Sequence, residues 1–262
     1  MTPSVKHISS HDNPLFKELL KLAGSSRQRK KAGQTLLDGI HLVQAYLACG
    51  NKPLHLLVTA AALQEREVTA LLQELHGVPL TQLDDNLFAE LSELKTPGGL
   101  LALIDLPSPA VSPAHSRFGL LLEDIQDPGN LGSILRSAAA AGCDTVFLSR
   151  GCADAWSPKV LRAGMGGHFT LSVHESMDLP AVAAAFQGKL LAALPDAGIS
   201  LYDCDLRGKL AFAVGNEGAG LSSGLLEAAS QHITIPMPGK VESLNVAAAA
   251  VVCLFEAARQ RR

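Results

Sequence analysis

The stretch Ile233-Thr-Ile-Pro-Met-Pro-Gly-Lys-Val-Glu-Ser-Leu-Asn-Val246 turns a corner that decides how the chain folds. The β-branched residues 233–235 predict the end of a strand, and the prolines that follow end its hydrogen-bond ladder because neither carries an N–H. Ser243 occupies the expected N-cap of a small-residue helix over residues 244–258. Unpaired N–H groups at such a helix start form a receptor for a polar or anionic ligand. Taken alone, the stretch also suits a capped, buried helix after a turn.

Two glycine-containing stretches upstream sharpen this interpretation. Asp127-Pro-Gly-Asn-Leu-Gly-Ser-Ile-Leu-Arg136 leaves a strand by a turn, so Asn130 is expected to cap the next helix. Arg136 lies among small and apolar neighbours, where a lone arginine usually has an anionic partner. Phe212-Ala-Val-Gly-Asn-Glu-Gly-Ala-Gly-Leu-Ser222 follows a buried strand, and its glycines let the backbone approach a ligand closely. The chain lacks the Lys-Ser/Thr of a P-loop here and the G-x-G-x-x-G of a nicotinamide dehydrogenase, which disfavours both classes.

In this order and spacing, the three stretches resemble the signature motifs of the SpoU/TrmH family of RNA 2′-O-methyltransferases, within the SPOUT class. The resemblance is close over residues 118–262 and looser before them. It implies an α/β fold whose mostly parallel sheet carries a C-terminal trefoil knot, preceded by a small α/β RNA-recruiting domain. It also implies methylation of a ribose 2′-hydroxyl in RNA with S-adenosylmethionine as cofactor. The expected substrate is 23S ribosomal RNA; a transfer RNA substrate, or an RNA-binding protein without activity, are the alternatives.

The resemblance also assigns roles to individual residues. Its catalytic set is Asn130, Arg136, Glu217, Ser243 and Asn245. Its cofactor-binding set is Leu194, Val214, Gly215, Asn216, Gly220, Ile235, Pro236, Met237, Ser243 and Leu244. We interpret Arg136 as a clamp for an RNA phosphate and ribose rather than as a general base, because a guanidinium stays protonated. For Glu217 two interpretations remain open, a support for the loop or active centre and a solvated carboxylate.

The charge of the chain predicts a local RNA surface. The 262 residues carry a formal net charge of −3, so a basic field over the whole molecule is excluded. Two clusters of cations are the candidates for contacts with RNA phosphates. A solvated charged face is the common alternative for the first cluster, and for the second cluster it is about as good an explanation as RNA contact. The predicted RNA-binding residues are Arg27, Arg29, Lys30, Lys31, Lys159 and Arg162.

Alternating strand and helix patterns and one proline-rich stretch predict the domain organisation. Residues 1–33 form a basic N-terminal segment, and residues 34–105 an α/β substrate-binding domain. Residues 106–117, which hold three prolines and three serines, are interpreted as a linker. Residues 118–262 form the methyltransferase domain, and the apolar circumference of its last helix predicts a homodimer through that domain.

The cysteines and histidines point to neither a disulfide framework nor a metal site. The five cysteines are scattered and odd in number, and the nine histidines show no metal-ligand spacing. No apolar run reaches the roughly 20 residues that a membrane span needs. A cytoplasmic protein with free thiols and without a catalytic metal or a membrane partner is therefore expected.

Overall fold

The computed structural model describes residues 6–94 and 96–262, so the first five residues of the predicted basic segment lie outside the described part. The contacts divide the chain into two compact units. The N-terminal unit comprises Met1–Pro107 together with Trp156–Gly166, and the C-terminal unit comprises Ser108–Ala155 and Gly167–Arg262. The first division between the units falls between residues 107 and 108, within the stretch 106–117. Trp156–Gly166 departs from the predicted 118–262 domain, because its helix packs on a strand of the N-terminal unit.

The N-terminal unit is built on a mixed sheet of five strands in the order β1-β4-β3-β5-β2. Its strands are β1 (Lys6–Ile8), β2 (Gln34–Asp38), β3 (His55–Val58), β4 (Leu80–Leu83) and β5 (Leu100–Asp105). Its helices are α1 (Pro14–Gly24), α2 (Ser26–Ala32), α3 (Ile40–Ala48), α4 (Arg66–Glu74) and α5 (Asp85–Leu91), and later in the chain Pro158–Gly164, numbered α7. Thr35 Oγ1 donates to Trp156 O at 2.8 Å, which holds the segment before α7 against β2.

The C-terminal unit is built on seven strands that are parallel at every pairing, in the order β10-β12-β9-β11-β6-β7-β8. Its strands are β6 (Phe118–Leu122), β7 (Thr145–Ser149), β8 (Ser172–Met177), β9 (Lys189–Ala193), β10 (Ile199–Ser200), β11 (Leu210–Val214) and β12 (Gln231–Thr234). Its helices are α6 (Pro128–Ala140), α8 (Leu179–Ala185), α9 (Ser223–Ala228) and α10 (Val246–Gln260). The predicted, mostly parallel α/β fold is therefore confirmed, and the trefoil knot stays a prediction.

The central strands of this sheet are apolar throughout because both of their faces are covered. Every residue of β6 and of β11 is buried. Since parallel strands all end at one edge, the loops after β6, β9, β11 and β12 emerge together. That edge carries all three sequence motifs.

Two helix starts differ from the predictions. Helix α6 begins at Pro128 with Asp127 as its N-cap, because Asp127 Oδ1 accepts from Asn130 N at 2.7 Å. Helix α10 begins at Val246, and its N-cap is Asn245, whose Oδ1 accepts from Ala247 N at 2.9 Å. The predicted caps, Asn130 and Ser243, were therefore wrong, and the side chain of Asn130 is left for another role.

Among the residues that the structure describes, no helix combines the length and apolar character needed to cross a bilayer. The same residues contain no group of three or more His, Cys, Asp or Glu side chains placed to hold a metal ion. All five cysteines are free thiols.

Candidate active site

A cavity of about 250 Å³ lies at the carboxyl ends of β9, β11 and β12. Its walls come from residues 193–195, from the loop after β11 and from the chain between β12 and the first turns of α10. Nine of the ten predicted cofactor residues line it: Leu194, Val214, Gly215, Asn216, Gly220, Ile235, Met237, Ser243 and Leu244. Pro236, the tenth, does not line the cavity, although Ile235 and Met237 on either side of it do.

The loop after β11 closes on itself by a tight turn that only glycine permits. A Cβ on Gly215 would collide with the backbone of Gly220 and lie 2.7 Å from Leu221 N. Gly220 has φ +70° and donates its N–H to Asn216 O at 2.9 Å. The side chain of Asn216 spans the turn, since its Oδ1 accepts from Gly218 N and Ala219 N at 2.8 and 3.1 Å. The loop therefore presents mainly backbone to the cavity.

A three-residue network joins the three motifs. Glu217 Oε1 accepts from Asn130 Nδ2 at 3.0 Å, from Asn245 Nδ2 at 2.9 Å and from Val246 N at 3.2 Å. Asn245 Nδ2 also donates to Asn130 Oδ1 at 3.1 Å. The interpretation of Glu217 as a merely solvated loop carboxylate was thus wrong, because this side chain fixes the start of α10 and both asparagines.

The same bonds limit what each member of the network can do. Asn245 uses both N–H groups within the network and its oxygen at the start of α10, so it positions its neighbours and has no donor left for a substrate. Asn130 keeps one N–H and one lone pair beyond these bonds. Of the two predicted catalytic asparagines, Asn130 is therefore the one able to bind substrate.

Arg136 lies outside the cavity lining, on the exposed side of α6. It is six residues beyond Asn130, about 9 Å along the helix axis. Its guanidinium makes no hydrogen bond or ion pair with any residue in the described ranges. All N–H donors of the Arg136 guanidinium are therefore available to a ligand.

The predicted RNA-binding cations divide into exposed residues and one buried residue. Arg29 is only 4% exposed, and its guanidinium donates to Leu22 O at 2.6 Å and to Ala23 O at 3.0 Å. It caps the last turn of α1, so its assignment to an RNA surface was wrong. The other five residues are exposed, on α2 or on α7: Arg27, Lys30, Lys31, Lys159 and Arg162.

The structure adds wall residues that sequence reasoning missed. Val246, Ala249 and Cys253 line the cavity from one face of α10, and their spacing of three and four residues was the available signal. Burial raises the pKa of the Cys253 thiol to about 12, so this residue is an inert part of the wall. The loop after β6 was also missed. Asp124 there has φ +57°, and its carbonyl accepts from Asn216 Nδ2 at 2.9 Å.

Comparisons with known proteins agree with this geometry. Residues 117–255 match the SpoU rRNA Methylase family, and residues 13–102 match the MRM3-like substrate binding domain. The chain is 37% identical to an uncharacterized tRNA/rRNA methyltransferase of Synechocystis, over 100% of this chain and 96% of that protein. It is 32% identical to the 23S rRNA (guanosine(2553)-2′-O)-methyltransferase of Bacillus subtilis, over 96% of this chain and 98% of that protein.

A solved structure gives the same result for the whole fold. The SpoU methyltransferase AviRb from Streptomyces viridochromogenes, in complex with the cofactor AdoMet, superposes with a TM-score of 0.81 at 27% identity. The superposition covers 95% of this chain and 98% of that one. The family match spans more than half of the chain and contains all three motifs. This chain belongs to the SpoU rRNA methylase family.

Proposed function

We propose that this protein transfers the methyl group of S-adenosylmethionine to the 2′-hydroxyl of a ribose in 23S ribosomal RNA. The observation that carries the proposal is the cavity at the three-motif corner, with Asn130 held beside it by Glu217 and Asn245. The 23S assignment rests on the B. subtilis relative, which matches this chain over nearly its whole length. Only RNA displays the 2′-hydroxyl that such a reaction needs.

The lining of the cavity fits this cofactor. Leu194, Ile235, Met237 and Leu244 supply an apolar slot for a purine ring, and the glycine-containing loop after β11 offers backbone N–H and C=O groups at close range. When bound, S-adenosylmethionine supplies an electrophilic methyl group on a good leaving group. The protein's task is therefore mainly to position the two reactants and to exclude water.

The residues around the cavity divide this task. The unpaired fork of Arg136 holds a phosphate of the RNA next to the target ribose, in a bidentate geometry that fixes its orientation. The remaining N–H of Asn130 lies on the same helix and orients the ribose. Glu217 and Asn245 act through Asn130 and through the start of α10, so they are positioning residues.

RNA recruitment is assigned to the N-terminal unit. The exposed cations of α2 and α7 lie within that unit, and cations of this kind provide the phosphate contacts that dominate RNA affinity. Its match to a substrate binding domain supports the same division of labour. A cytoplasmic location belongs to the proposal, since five free thiols persist in a reducing compartment.

A homodimer through α10 completes the proposal. Phe255 is 47% exposed on this helix, and the half-buried Val251 and Val252 continue the same apolar strip. Phe255→Asp should turn a dimer into a monomer of 27.4 kDa in light scattering, with its cofactor cavity intact. A wild-type protein that is already monomeric at micromolar concentration would contradict this part.

The experiment for the reaction compares substrates directly. Purified protein is given tritiated S-adenosylmethionine with 23S ribosomal RNA or with bulk transfer RNA, each free of modification. We expect label in the 23S RNA alone. Label in transfer RNA alone would replace the proposed substrate by its alternative, and cofactor binding without transfer to either RNA would favour an inactive RNA-binding protein.

A further inference from the structure

A second cavity, of about 540 Å³, lies at the opposite end of the catalytic sheet. It opens where β6 and β11 begin and where α10 ends. Its lining consists of Arg117, Arg207, Gly208, Lys209, Gln260, Arg261 and Arg262. Five of these seven side chains are cationic, and none of the described side chains that line the cavity is acidic. In a chain with a formal net charge of −3, this is a pronounced local excess of positive charge.

Some of these cations have structural partners, and others do not. Arg261 donates to Leu206 O and to Arg117 O, both at 3.2 Å, and its guanidinium carbon lies 4.5 Å from the centre of the Phe118 ring. The Arg207 side chain donates to Asp205 Oδ1 at 2.7 Å, and this bond is the largest of several contacts that lower the pKa of Asp205 to about 2. Lys209 Nζ donates to Ala114 O at 3.3 Å, its only partner among the described residues.

Arg117 has no such partner for its side chain. Its guanidinium makes no hydrogen bond or ion pair within the described residues. The nearby carboxylate of Asp144 is occupied by the backbone N–H groups of Arg117 and Phe118, at 2.7 and 3.2 Å, and by the hydroxyls of Ser116 and Thr145. The positive charge of Arg117 and Lys209 is therefore open to an external anion.

A simpler explanation covers only part of the cluster. Cations at a helix C-terminus offset the negative end of the helix dipole, and Arg261 and Arg262 follow α10. Arg117, Arg207 and Lys209 come from the segments before β6 and β11, which have no helix end to offset. Three separate segments thus bring cations to one concave surface.

This cavity is distinct from the cofactor cavity. Strands β6 and β11 run from one to the other over five residues each, about 16 Å at 3.3 Å per residue. Helix α10 spans the same direction with 15 residues, about 22 Å. A phosphate bound here is therefore several nucleotides away from a ribose at the cofactor cavity.

We propose that this basic cavity binds the phosphodiester backbone of the RNA substrate, at a segment remote from the methylated nucleotide. The inference rests on the proposed function only for its claim that the ligand is RNA. Arginine forks match phosphate oxygens in a bidentate manner, and the charges of Arg117 and Lys209, which no described carboxylate neutralises, are the ones that a phosphate can meet. This contact does not depend on the RNA sequence. It adds a site for RNA on the catalytic unit to the one proposed on the N-terminal unit.

The test removes charge without disturbing Arg261, which packs on Phe118. Arg117→Gln combined with Lys209→Gln is compared with the charge-conserving pair Arg117→Lys and Lys209→Arg. Dissociation constants are measured against salt concentration for an RNA duplex of arbitrary sequence and for 23S ribosomal RNA. Two lost phosphate contacts should lower the slope of log Kobs against log salt by about 1.4 to 1.8 and weaken binding on the order of tenfold at low salt. The charge-conserving pair should keep the wild-type slope.

The outcomes separate this site from the reaction itself. S-adenosylhomocysteine affinity should be the same in all three proteins, because the cofactor cavity is untouched. A glutamine variant with the wild-type slope and affinity for both RNAs overturns the site. Inorganic phosphate is also tested for a thermal shift of each protein. If the glutamine variant loses this shift but binds RNA as wild type does, the RNA site is overturned and the cavity is a site for free phosphate. If wild-type protein methylates no RNA while the glutamine variant loses RNA affinity, the proposed reaction fails and the site stands.

Discussion

Glu217 offers the most informative perturbation, because one carboxylate oxygen holds together parts of all three motifs. Glu217→Ala removes acceptors for Asn130 Nδ2, Asn245 Nδ2 and Val246 N, at 3.0, 2.9 and 3.2 Å. The site is exposed, so water replaces part of each bond, and about 0.5–1 kcal/mol per bond is the appropriate range. The expected loss in the free energy of unfolding is about 2 kcal/mol, which corresponds to a fall in Tm of about 4–8 °C for a chain of this size.

The functional effect should be larger than the loss of stability. Without Glu217, Asn130 and the first turn of α10 lose their fixed orientation, and Val246 is itself part of the cofactor cavity. We expect weaker binding of S-adenosylhomocysteine and a fall in single-turnover methyl transfer on the order of a hundredfold or more, as for other lost positioning contacts. Glu217→Gln keeps one acceptor oxygen and should lie between wild type and Glu217→Ala.

A matched control is available on the same surface. Glu242 is exposed in the loop before α10 and makes no hydrogen bond or ion pair with a described residue. Glu242→Ala removes the same charge and should leave Tm, cofactor affinity and methyl transfer close to wild type. If Glu217→Ala behaves like Glu242→Ala in calorimetry and in single-turnover assays, the network does not organise the site and the reasoning fails.

Three further predictions concern Arg136, the cations of α2, and His168. Arg136→Lys keeps the charge but loses the bidentate fork, so methyl transfer should fall on the order of a hundredfold while S-adenosylhomocysteine titration is unchanged; near wild-type transfer would remove Arg136 from the site. Arg29→Ala should lower the free energy of unfolding by about 1–3 kcal/mol, measured by urea unfolding, because two hydrogen bonds to carbonyl groups are lost. Glutamines at the three exposed cations of α2 should instead weaken RNA binding and leave the free energy of unfolding unchanged. Burial lowers the pKa of His168 to about 4, below its unfolded value of 6.5. Between these two pH values the unfolded chain binds more protons than the folded chain, so the free energy of unfolding should fall as pH falls from about 6.5 to 4. His168→Gln should flatten this pH dependence in thermal unfolding.

The sequence predicted the fold of the catalytic unit because the signals for that fold are short stretches that can be recognised one by one. The apolar runs of β6 and β11 identify buried parallel strands, and three ordered motifs identify the edge where they end. The cap assignments failed because several polar residues compete within one turn. Asp127 and Asn130 both suit a cap, and only the tertiary position of Glu217 decides that Asn130 faces the site.

Long-range packing was beyond the reach of the sequence. Arg29 sits in a run of cations whose pattern is that of a solvated face, and its burial depends on the end of α1, several residues earlier. The assignment of α7 to the N-terminal unit likewise depends on contacts between residues more than a hundred positions apart, such as Thr35 and Trp156. Neither contact produces a pattern of residues that can be recognised in the sequence.

We propose that the three-motif corner directs a methyl group to a ribose oxygen. The most direct measurement is alkaline hydrolysis of 23S ribosomal RNA labelled by this protein with tritiated S-adenosylmethionine, followed by separation of the products. A 2′-O-methyl group blocks attack on the adjacent phosphodiester, so the account predicts that the label is retained in alkali-resistant dinucleotides. Label released in mononucleotides, which places the methyl group on a base, would contradict it, as would the absence of label in RNA from a protein that binds S-adenosylhomocysteine.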